Sequence, residues 1–171
     1  MDLRLESLTA AAFAPFGDLL DLSAGGAPGR FDHVGRLVDG RGGLSPNVVL
    51  IRAAAEALPT RIERLERHAV SSQLFVPCGM AGRFLVVVAE DLGGRPALGT
   101  LRAFLCEGAR GVIYAPGVWH HPLLSLLPCR FLMLVHEDGT ELDTEVQGLD
   151  EPVRLLTTPT QGAAWPEPVQ R

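Results

Sequence analysis

From residue 47 onward the chain is a succession of short apolar runs broken by glycine and proline, and this texture constrains the fold most. NVVLIR (47–52), QLFVP (73–77), RFLVVVA (83–89), TLRAFLC (100–106), GVIY (111–114) and RFLMLVH (130–136) are rich in β-branched, aromatic and leucine residues. Such residues suit a pleated, half-buried surface, so each run reads as a strand. The separators GMAG, EDLGGRPALG, EGARG and APG are turn chemistry, because glycine reaches backbone angles closed to other residues and proline presets one. No long helical periodicity intervenes, which predicts an antiparallel sandwich or barrel. FLVVV is apolar on both faces. It predicts a central strand covered on two sides, as in a barrel wall that also supports a dimer.

Outside this region the signals are sparser. SLTAAAFAPFGDLLDL (7–22) predicts a small helix capped by Ser7 or Thr9 and stopped by Pro15 and Gly17. SAGGAPGR (23–30) is a glycine-rich loop without the flanking strand and helix that a phosphate cradle requires. TTPTQGAAWPEPVQR (157–171) holds three prolines among small and polar residues, and predicts an extended tail after one domain spanning residues 1–156.

Composition excludes several chemistries. All 15 basic residues are arginine, which removes a Schiff-base lysine and a P-loop lysine together. A net charge of -5 with scattered arginines argues against nucleic acid, which requires a basic face. No stretch approaches the ~20 apolar residues of a membrane helix. The acidic, mixed N-terminus does not read as a signal peptide, so a cytoplasmic location is expected. Three widely spaced cysteines without a CxxC pair read as free thiols in a reducing compartment.

With five histidines in the chain, their positions carry weight. His68 ends RIERLERH (61–68); on a strand, Glu66 and His68 share one face while Leu65 and Arg67 share the other. Gln73 opens the next apolar run. APGVWHHPLL places His120 and His121 in tandem after a Pro-Gly turn, and on a strand only one of them can enter a barrel. Taken singly, each has an ordinary structural reading: a surface histidine, a solvated charged face, a structural histidine pair.

Jointly, these positions resemble the two motifs of the cupin superfamily, which implies a cupin-type antiparallel β-barrel, or jelly roll, with short peripheral helices. The motif positions fall on Glu66, His68, Gln73 and His120. Glu66 and Gln73 stand where that superfamily usually has histidine and glutamate. This set holds a divalent ion less tightly. No cofactor is therefore certain, and a divalent transition metal (nickel, zinc or manganese) on these four residues is one open reading.

More closely, the chain resembles the ureidoglycolate lyase family, through LTAAAFAPFGDLLD, ALPTRIERLERHAVSSQLFVP and ALGTLRAFLCEGARGVIYAPGVWHHPL. It departs at Ile113, where the family usually has asparagine, and across VHEDGTELDTE (135–145). The resemblance implies a carbon–nitrogen lyase of the amidine-lyase type, splitting ureidoglycolate into glyoxylate and urea in allantoin breakdown, as a cytoplasmic homodimer. Glu66, His68 and His120 are then the acid–base residues, and Gln73, Arg102, Arg67 and Tyr114 the substrate-binding ones. The base is His68 or His120 without a metal, and Glu66 with one. Arginine is included because its paired donors match a carboxylate. Two rivals remain at this stage: another metal-dependent cupin enzyme (dioxygenase or isomerase), and a non-catalytic cupin that binds a small carboxylate.

Overall fold

The computed structural model describes residues 1–23, 28–29, 31–79, 82–140 and 143–157. Most of the glycine-rich loop expected at 23–30 lies outside these residues, and so does nearly all of the expected tail, Trp165 included. Along the chain run β1 (Asp2–Ser7), helix α1 (Ala10–Phe13), β2 (Gly17–Asp21), β3 (Asn47–Ala53), β4 (Thr60–Arg67), β5 (Gln73–Pro77) and β6 (Arg83–Ala89). They are followed by β7 (Arg102–Glu107), β8 (Arg110–Tyr114), β9 (Trp119–His120), β10 (Leu124–Ser125), β11 (Cys129–Val135) and β12 (Glu145–Leu156). Every run read as a strand from residue 47 onward is one.

The strands form two sheets. In the first, β6, β7, β1, β12, β4 and β9 are neighbours in that order, and a β6–β9 pairing closes them into a ring; β10 adds to β6. The second has the order β2, β8, β5, β11, β3. The architecture is mainly β and cupin-like, as the motifs implied. One feature differs from the expected antiparallel pattern: β1 runs parallel to both β12 and β7. The chain leaves β1 through α1 for the other sheet, so no hairpin ties β1 to either neighbour.

Two cores result. Leu5, Leu65, Val87, Ala103, Trp119 and Leu155 belong to one cluster, to which every ring strand contributes. Phe75, Phe84, Val88, Phe104, Tyr114 and Phe131 belong to another, between the ring wall and the second sheet. β6 supplies both, with Leu85, Val87 and Ala89 in the first and Phe84, Val86 and Val88 in the second. Its two apolar faces are thus covered by its own chain, which corrects the idea that a dimer partner covers one of them.

Local chemistry explains the remaining elements. Thr9 caps α1, its Oγ1 accepting the Ala12 N–H at 3.2 Å. Phe13 of α1 then packs edge-on against Phe104, with ring centroids 6.1 Å apart. At Gly17 (φ 142°) a Cβ would lie 1.8 Å from the Ile113 carbonyl oxygen, so only glycine lets β2 pair with β8 there. β12 shifts register between Gly148 and Val153, which accommodates Pro152, a residue with no N–H to give a ladder. The three cysteines are free thiols. Among the described residues no helix is long and apolar enough to cross a membrane.

Candidate active site

β4 and β9 are antiparallel neighbours in the ring, with Glu66 directly opposite His120. Alternation along β4 sends Leu65 into the ring core, and the Arg67 guanidinium lies 4.8 Å from the Trp119 ring centroid. Glu66 and His68 take the other face, towards the second sheet, as the period of two predicted. β9 divides its pair likewise: Trp119 enters the ring core, while His120 stacks on Tyr114 of the intersheet layer, with centroids 4.2 Å apart and planes 17° from parallel. The site therefore lies between the ring and the second sheet, not inside the ring. His121, after β9, is half-buried and its Nδ1 pairs with the Pro122 carbonyl at 2.7 Å. Of the tandem pair, only His120 joins the cluster.

One ligating atom each from Glu66, His68 and His120 lie within 4.8 Å of one another. His120 Nε2 is 3.6 Å from Glu66 Oε1, and the two imidazoles stack with centroids 5.6 Å apart. Both rings have their tautomer set from behind. His68 Nδ1–H donates to the Asp143 carbonyl at 2.7 Å, and His120 Nδ1–H donates to the Val118 carbonyl at 3.0 Å. Each Nε2 thus presents a lone pair. Gln73, at the start of β5, donates its amide NH2 to the Met133 sulfur at 3.3 Å, which leaves its Oε1 free. His68 Nε2, His120 Nε2 and Gln73 Oε1 are all buried without a hydrogen-bond partner.

Electrostatics follow from this burial. Desolvation pushes the His120 pKa down to about 3, helped by the neighbouring His68 and His121 and opposed by the Val118 bond. The ring is neutral at physiological pH. Burial raises the Glu66 pKa, the nearby His68 and Arg64 pull it back, and Glu137 adds to the rise. Burial also raises the Tyr114 pKa, so its phenol stays protonated.

A cleft of about 390 Å³ opens onto this cluster, with Glu66, His68, Gln73, Glu137 and Thr144 on its polar side and Phe75, Leu123 and Met133 on its apolar side. Its described lining contains no arginine. Arg67 is bound to Asp91 at 2.5 Å and to Glu145 at 2.8 Å. Arg102 holds the Glu6 carboxylate through Nε (3.0 Å) and Nη2, and gives Nη1 to the Ala12 carbonyl at 2.9 Å. Neither arginine is among the residues described as lining the cleft; their donors meet the carboxylates of Asp91, Glu145 and Glu6 and the Ala12 carbonyl instead. Tyr114, like His120, lies behind the described cleft lining, with its ring stacked on that of His120.

Glu137, Thr144 and Asp143 escaped sequence reasoning. They lie in or beside the 135–145 stretch that departs from the family, and no spacing rule connects them to His68.

The chain is similar to known proteins along nearly its whole described length. A family model described as ureidoglycolate lyase matches residues 1–156. A ureidoglycolate lyase of Burkholderia cepacia is 40% identical over 146 residues, covering 81% of each chain. One of Pseudomonas fluorescens strain SBW25 is 34% identical over 166 residues, covering 93% of this chain and 98% of that one. One of Pseudomonas aeruginosa strain LESB58 is 34% identical over 164 residues.

Proposed function

The chain belongs to the ureidoglycolate lyase family, and from that premise we propose that its cleft splits ureidoglycolate into glyoxylate and urea, with residues 1–156 as the catalytic domain. The observation that carries this reading is the convergence of Glu66, His68 and His120, from two separate strands, on one buried point. The rival readings, another cupin enzyme or a non-catalytic binding module, gain no support from the relatives, which are named as lyases.

In ureidoglycolate one carbon carries a hydroxyl, a carboxylate and a urea nitrogen. Glu66 takes the hydroxyl proton, the O–H electron pair forms the carbonyl of glyoxylate, and the C–N electron pair leaves with urea. Glu66 then returns the same proton to the departing nitrogen, so no proton is gained or lost. A carboxylate whose pKa is raised by burial suits both halves of this transfer. A His120 pKa near 3 makes that ring a poor base and a good neutral electron-pair donor.

The cluster fits a cation. Three ligating groups converge here (Glu66, His68 and His120), and Gln73 lines the same cleft; His68 Nε2, His120 Nε2 and Gln73 Oε1 are buried and unpartnered, and buried acceptors are costly unless something is bound to them. We propose that His68, His120, Gln73 and Glu66 would hold a divalent transition metal (nickel, zinc or manganese). When bound, such an ion supplies the positive charge that a substrate carboxylate needs and that the described cleft residues lack. Thr144 remains as a polar contact for the urea group.

We also propose a cytoplasmic homodimer. The outer face of β3 and β11 pairs Leu50 with Leu132 and Val48 with Leu134, and Val48 is 68% exposed, an apolar surface of the kind that self-association covers. Light scattering that returns a monomer mass would remove this part.

Incubating the purified protein with ureidoglycolate tests the activity. Glyoxylate and urea should appear in equal amounts, well above the spontaneous rate. Release no faster than in buffer ends the proposal.

A further inference from the structure

His68 owes its tautomer to a backbone carbonyl, and a backbone carbonyl is only as well placed as the loop that carries it. The Asp143 carbonyl that accepts from His68 Nδ1–H belongs to a residue whose own side chain is fully engaged. Its carboxylate accepts the backbone N–H groups of Asp138 at 3.0 Å and Gly139 at 2.7 Å. It also accepts Nη1 of Arg41 at 2.5 Å. Arg41 comes from a remote part of the chain, and its second arm, Nη2, donates to the His136 carbonyl. One planar fork therefore grips the two ends of the 136–143 segment. The arginine is itself held, because the Asp39 carboxylate accepts the backbone N–H groups of Arg41, Gly43 and Leu44 at 3.0–3.1 Å.

We infer that Arg41 is a positioning residue of this site: by clamping Asp143 and His136 together, it holds the Asp143 carbonyl against His68 Nδ1–H and keeps the His68 Nε2 lone pair in the cleft. A lysine cannot replace it fully, because a single ammonium does not span two acceptors with fixed geometry. The inference rests on the lyase reading for its kinetic readout only. The tautomer of His68 is independent of what the cleft turns over.

The test uses 15N-histidine-labelled protein freed of metal by chelation, so that no ion fixes His68 Nε2, with nitrogen shifts assigning the His68 tautomer and kinetics run on the same protein with metal restored. In the wild type, His68 should be protonated at Nδ1 alone. In Arg41→Ala it should become a mixture of tautomers, and kcat for ureidoglycolate should fall by roughly 10–100-fold, the usual cost of losing an outer-sphere partner, with KM moving far less. Arg41→Lys should recover part of the kcat. An Arg41→Ala protein that keeps a single Nδ1–H tautomer and wild-type kcat overturns the inference. Should that variant fail to fold, Asp143→Asn, which keeps the carbonyl and loosens the clamp, should give the same mixing; an unchanged tautomer there overturns it equally. If the wild type releases no glyoxylate, the lyase reading fails and the tautomer result alone decides the role of Arg41.

Discussion

Gly117 donates its backbone N–H to the carbonyl of His68 at 2.8 Å. This single bond ties the Pro-Gly turn before His120 to His68, the residue that follows the strand carrying Glu66. Together with the Glu66–His120 pairing, it explains why two motifs some fifty residues apart arrive at one point. The turn needs glycine for its backbone angle, not for space: φ is 79°, and an added Cβ would meet nothing closer than the Ala69 carbonyl oxygen at 3.8 Å.

Gly117→Ala should therefore cost about 1–2 kcal/mol, the usual penalty for an L-residue in the left-handed region, and should act on catalysis through His120. A displacement of His120 by an ångström is worth up to about 10²-fold in kcat. Denaturant unfolding and steady-state kinetics on the same preparation check both parts. Wild-type stability would mean that the turn relaxes freely and does not set the motif.

Glu66→Gln is the sharpest probe of the proton-transfer role, since it keeps shape and removes the carboxylate. The kcat should drop by about 10²–10⁴-fold, the range for a positioned acid–base group. In the metal-free protein stability should move the other way. The folded pKa of Glu66 is raised by burial, so its penalty on the folded state grows as pH rises above the ordinary glutamate value and is complete above the folded one, and the amide removes it at neutral pH. A metal-free variant that is less stable than the metal-free wild type would point to a structural role.

How far the sequence reveals this site depends on the range of the interaction. The strands dense in β-branched and aromatic residues, such as RFLVVVA and RFLMLVH, are legible because composition and turns are local. β12 is not, because Gly148 and Pro152 read as breakers and only the bulge opposite β4 makes them admissible. β1 and β9 are short or charged, and are strands because of their neighbours. In the site, Glu66, His68, Gln73 and His120 are recognisable from motif spacing. The fates of Arg67 and Arg102 are decided by partners far away in sequence, Glu145 and Glu6, which no local pattern reveals. The Arg41–Asp143 clamp spans 102 residues and is invisible for the same reason.

Metal occupancy should be visible in stability as well as in rate. A cation that binds only the folded state raises the melting temperature with its concentration. Added nickel, zinc or manganese should therefore raise Tm in the wild type and raise it much less in His68→Ala. Exhaustive chelation, with metal analysis of the same sample, should abolish turnover, and re-addition should restore it. Full turnover at sub-stoichiometric metal would exclude the ion from catalysis.

Strong acid should loosen the Arg41 clamp. The Gly43, Leu44 and Arg41 backbone N–H groups, Gly43 foremost, hold the Asp39 pKa down to about 2 from 3.8. The Arg41 guanidinium holds Asp143 below its usual value as well. For both groups the unfolded chain binds a proton more readily than the folded one, so unfolding takes up protons in this range. Their stabilisation is therefore fully present above the ordinary aspartate range, and is lost as pH falls from about 4 towards 2. Denaturant midpoints measured across that interval should fall in the wild type, and should fall less steeply in Asp39→Asn, which has nothing there to protonate. An Asp39→Asn variant with the wild-type slope would show that these N–H groups do not hold the carboxylate.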